Sequence, residues 1–73
     1  MSAMPHMRAE VELREGADFA KLRGELARIG VTLEVEGDKA FATAPAFILY
    51  EAEKRKHFRM KKGTLARAQT RAG

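Results

Sequence analysis

The chain has 73 residues, no cysteine and a net charge of +4, with one residue in three charged. That length holds one small domain at most, whose core rarely supplies more than roughly 3–5 kcal/mol. Disulfides are excluded, and His6 and His57, the only histidines, lie too far apart in sequence to suggest a zinc site, so a partner is the expected source of order.

The longest apolar run, Ala44 to Tyr50, falls far short of the roughly 20 residues a bilayer crossing needs. Met1 to Met7 has neither the apolar stretch of a secretory signal nor the arginines of a transit peptide, and residues 1–7 are expected to be a disordered lead-in. Charge is unevenly placed. Residues 1–50 carry six Lys/Arg against eight Asp/Glu, whereas residues 51–73 carry eight against two. A mildly acidic head joined to a basic tail points to a polyanion partner, nucleic acid before an anionic membrane surface.

Arg8 to Arg14 alternates Ala9, Val11 and Leu13 with charged residues, the period of a strand with one buried face. Glu15-Gly16-Ala17 breaks it, and Asp18 is placed to cap a helix. Phe19, Leu22, Leu26 and Ile29 then recur at helical spacing as a core stripe, and Gly30 suits a left-handed C-cap. Val31, Leu33 and Val35 alternate again, Gly37-Asp38 reads as a tight turn, and residues 39–43 as a returning strand or an irregular connector.

Pro45 suits the first turn of a helix, with Thr43 or Ala44 as its cap. Residues 46–62 contain no further Pro or Gly, and Glu51 with Arg55 forms a helix-stabilising pair. Gly63 interrupts, and Thr64 can cap a last helical segment from Leu65 to Ala72. The apolar stripe fails after Glu53, so this helix is expected to project and to be ordered by what it binds. The expected fold is a small α+β one, helix-dominated and extended: a strand–helix–strand head over residues 8–44, and a basic helical arm over residues 45–73 with a break near Gly63.

Catalysis finds no support in the inventory: there is no cysteine nucleophile, no glycine-rich phosphate loop, and no base evident beside Thr32, Thr43, Thr64 or Thr70. No enzyme, cofactor or metal is expected. The basic run is the informative feature. Lys54, Arg55, Lys56, Arg59, Lys61, Lys62, Arg67 and Arg71 would neutralise phosphates, and Tyr50, His57 and Phe58 would stack on unpaired bases. A solvated charged face is the plain alternative. Phe41 and Tyr50 are each more readily placed against the head than against a base.

Taken in order, Val11-Glu12-Leu13-Arg14-Glu15, Leu22-Arg23, Gly30-Val31, Glu34-Val35, Phe41 four residues before Pro45, and the basic stretch Glu51 to Arg71 resemble the bacterial-type small-subunit ribosomal protein twenty-one (S-twenty-one) family. The resemblance implies a structural constituent of the small ribosomal subunit, on rRNA near the platform and the 3′ end, supporting translation initiation. It implies neighbouring small-subunit proteins, mRNA nearby and no membrane. A bacterial cytoplasmic ribosome or, since residues 42–49 diverge, a mitochondrial one would be its location. Phe41 and Pro45 would fix the angle between head and arm. Two alternatives stand beside it: a free-standing nucleic-acid-binding module of nucleoid, phage or regulatory type, and an accessory subunit of an organelle membrane complex whose basic helix lies along anionic lipid.

Overall fold

In the computed structural model, which describes residues 5–68, the chain runs β1 (His6–Leu13), α1 (Phe19–Arg28), β2 (Thr32–Glu36), β3 (Lys39–Pro45), α2 (Ala46–Lys54), β4 (Phe58–Met60) and β5 (Ala66–Arg67). The first half follows the sequence pattern. Asp18 caps α1, accepting the N–H of Lys21 at 3.2 Å. At the other end Gly30, with φ +91°, donates to the Ala27 carbonyl and Val31 to that of Leu26, the hydrogen-bond pair of a Schellman stop. Gly37, with φ +64°, turns β2 into β3 as an antiparallel hairpin.

The sheet order is β2-β3-β1-β4, and every pairing is antiparallel. With α1 and α2 as the two crossovers, this is the β-α-β-β-α-β succession of a split βαβ, or ferredoxin-like, unit. β5 also pairs with β1, on the side β4 occupies, so β4 and β5 form one interrupted edge strand. Alternation sends Ala9, Val11, Leu33, Ala42, Ala44 and Phe58 to one face, where they bury with Leu22 and Leu26 of α1, Val31, and Leu49 and Ala52 of α2. Alanine at positions 40, 42 and 44 leaves room for α2, which packs on β3 and β4.

The structure corrects the expectation of a helix-dominated, extended molecule with a long basic C-terminal helix. It is a small α+β fold of a five-stranded antiparallel sheet and two short helices. Helix α2 ends at Lys54 because Lys56 turns left-handed, φ +66°, and the N–H groups of Lys56 and His57 close on the carbonyls of Glu53 and Ala52. Phe58 and Met60 then alternate inward, one buried and one half-buried, and complete the sheet. Gly63 breaks no helix. It sits at φ +80° in a turn closed from the Thr64 N–H to the Lys61 carbonyl. Thr64 caps no helix either; its hydroxyl oxygen accepts the backbone N–H of Glu10 at 3.1 Å.

Smaller expectations also change. His6 and Met7, placed in the lead-in, pair with Pro45 and Ala44. Ile29 caps α1 at 37% exposure and leaves the core to Leu22 and Leu26. Pro45, not Thr43 or Ala44, is the N-cap of α2 and makes no side-chain cap bond. With residues 46–68 folded onto the sheet, Phe41 and Pro45 fix no hinge: Phe41 lies on the open face of the sheet, and Pro45 ends β3.

Candidate nucleic-acid interface

The open face of a sheet is where one family of RNA-binding modules stacks bases on aromatic side chains. Phe41 is the aromatic of β3 on the face opposite the helices, and it is covered. The Arg8 guanidinium sits 3.9 Å from the ring centroid, held by Glu36 at 2.9 Å and Glu34 at 4.0 Å. The residues in register with Phe41 on its two neighbouring strands are Glu10 and Glu34. A phosphate backbone crossing this ring would meet carboxylates on both sides, so the open face is a poor nucleic-acid platform. The groove there is lined by Arg8 and Arg67 but also by Glu34 and Glu36.

The basic run lies elsewhere, along one side of the molecule. Lys54 ends α2, and Arg55, Lys56 and His57 form the turn into β4. Basic residues at a helix C-terminus complement the helix dipole, which is one sufficient reason for their presence. Arg55 is also tied to Glu51 at 3.2 Å, as the four-residue spacing suggested. Farther along, Arg59 stands opposite Glu12 on β4, Lys61 and Lys62 enter the insertion between the edge strands, and Arg67 lies on β5 opposite Met7. From Lys54 to Ala68 there are seven Lys/Arg and no Asp/Glu. Among the described residues Lys54, Lys56, Arg59, Lys62 and Arg67 form no ion pair.

Edge construction explains how this segment is held. The Lys61 N–H donates to the Glu10 carbonyl at 2.9 Å, and its ammonium reaches the Glu10 carboxylate at 3.0 Å. That hydrogen bond, and then the charge of Glu10, hold the Lys61 ammonium above its ordinary pKa of 10.5. The Glu53 carboxylate accepts the Met60 N–H at 2.9 Å, satisfying a donor of the edge strand that β1 does not use. Cations on an exposed edge strand also deter strand-to-strand aggregation, a second plain reason for some of them.

Between α2 and this edge runs a groove of about 630 Å3, lined among others by Tyr50, Arg59, Lys61, Lys62 and Leu65. It brings together four of the residues singled out in the sequence. It does not include Phe58, whose ring is 3% exposed in the core and cannot meet a base in this fold. His57 is half-buried at the far end, beside Lys56. Tyr50, expected against the head, is 53% exposed, and Phe47, on the same helix, is 57% exposed. Arg71 lies outside the described residues.

Among the described residues no His, Asp and Glu side chains gather as metal ligands do, and no helix is long and apolar enough to cross a membrane. Comparison with protein-family models, curated proteins and solved structures finds no match for this chain.

Proposed function

We propose that the protein is a free-standing, non-catalytic nucleic-acid-binding module that grips a phosphate backbone with its β4–β5 edge. The observation that carries this reading is the placement of the acid-free segment from Lys54 to Ala68: it runs along one edge of the sheet, a track of cations in which Arg59, Lys61 and Lys62 line a single groove. The plain explanations cover parts of that track, the helix end and the strand edge, and neither asks for cations at both in succession. The ribosomal seat implied by the family resemblance leaned on a projecting basic helix, which this fold lacks; the polyanion partner is what carries over. The lipid alternative loses the same helix.

The test is fluorescence anisotropy of a labelled RNA with the full chain across a salt series. Binding that weakens steeply with salt supports the proposal, since each neutralised phosphate releases counterions. Absence of binding at low salt sinks it. Sedimentation with and without small ribosomal subunits then reads whether the bound RNA is ribosomal.

A further inference from the structure

Resting on that reading and deepening it, we infer that the ligand is single-stranded and that Tyr50 is the surface on which one of its bases stacks. Helix α2 buries Leu49 and Ala52, so its core face is complete without either exposed ring. Phe47 and Tyr50 are three residues apart and therefore neighbours on the outer side of the helix, with Lys54 four residues beyond Tyr50 on the same stripe. Tyr50 also borders the groove that holds Arg59, Lys61 and Lys62. An exposed aromatic beside a cationic track is the pairing that binds single strands: the cations follow the backbone, and the ring takes the face of an unpaired base. In a duplex those faces are already stacked on one another, and the ring would have nothing to cover.

Glu12 and Glu53 line the groove as well. The Glu53 carboxylate is turned to the Met60 N–H, and Glu12 stands in register with Arg59, so neither leaves the cations outnumbered. The neighbouring sheet face offers no competing stack, because Arg8 already covers Phe41.

Tyr50 is the only tyrosine and there is no tryptophan, so the unmodified chain carries its own reporter at the site. Full-length protein is titrated with oligo(U) and oligo(dT) of about 12 nucleotides, within the span such modules cover, and with a duplex of equal phosphate count. Both single strands are expected to quench the tyrosine emission. Read by anisotropy of the labelled oligonucleotides, Tyr50→Leu should bind them about tenfold more weakly, the scale of one base–aromatic stack. Tyr50→Phe should keep that affinity, and duplex affinity should be the same for all three proteins. Single strands that bind without quenching, and equally well to Tyr50→Leu, would overturn the stacking role and leave the edge as a backbone track. If neither strand nor duplex binds at low salt, the proposed function itself fails.

Discussion

The Lys61 ammonium lies 3.0 Å from the Glu10 carboxylate, and the same two residues share a backbone hydrogen bond of 2.9 Å. This double clasp fixes the point where the edge strand leaves β1 and begins its insertion. Five residues, 61–65, stand there against two on β1, Ala9 and Glu10. The clasp holds the basic track on the sheet.

Its pH dependence has a definite sign. The folded state raises the pKa of Lys61 above 10.5, so the pair's contribution is fully present below that value and is lost as pH rises through the raised one. Wild type and Lys61→Met should therefore differ in urea midpoint at neutral pH and converge in strongly alkaline solution. A difference that is constant with pH would mean the ammonium contributes nothing through its charge.

The two helices stop in the same way with different residues. Gly30 ends α1 at φ +91° and Lys56 ends α2 at φ +66°, each inside the same pair of backbone hydrogen bonds. A side chain in that conformation costs about 1 kcal/mol that glycine avoids. Lys56→Gly should thus stabilise the fold by up to about 1 kcal/mol in urea unfolding while weakening nucleic-acid binding. Gly30→Ala should destabilise it by a similar amount; a Cβ there meets only Ile48 at 3.8 Å, so the penalty is in the backbone. A Lys56→Gly protein that is less stable than wild type would show that the turn differs from the one described.

Phe58 separates the folded edge from a projecting arm. As a buried core ring its truncation, Phe58→Ala, should cost about 3–5 kcal/mol, enough to unfold most of a domain this small at room temperature. Circular dichroism at increasing urea reads this directly. A cost within about 0.5 kcal/mol, the usual range for an exposed position, would place the ring outside the core.

The salt response should localise to the edge. Every cation removed from a phosphate of a single strand lowers the log–log salt slope by about 0.7. Arg59→Gln with Lys62→Gln should reduce it by about 1.4. The same exchange at Lys21 and Arg23, exposed on α1, should leave it unchanged. Equal effects from both pairs would mean diffuse attraction to a basic protein rather than a track.

The first half of the fold is legible in the sequence because each of its elements carries two agreeing signals. Helix α1 has its stripe and a cap at both ends, and the hairpin has alternation and Gly37. The second half hides its signals. Phe58-Arg59-Met60 is only one alternation long and sits inside a cationic run. The residue that ends α2 is a lysine where a glycine would have announced the stop. Phe47 and Tyr50, the most conspicuous apolar residues of α2, point outward, while the small Ala52 faces the core with Leu49. Composition therefore located the cations of the candidate site but not the surface they form. Tyr50, expected against the head, is the exposed ring beside them, and Phe58, expected to stack, is buried.

The most direct measurement is an amide-shift titration of the free, full-length protein by NMR with a single-stranded oligonucleotide. Before ligand is added, the Lys61 amide should be protected from exchange by its bond to Glu10. On titration, shifts should concentrate between Tyr50 and Arg67 and spare Glu34, Glu36 and Phe41. A rapidly exchanging, unstructured C-terminal third before RNA is added, or shifts centred on Phe41, would contradict the account.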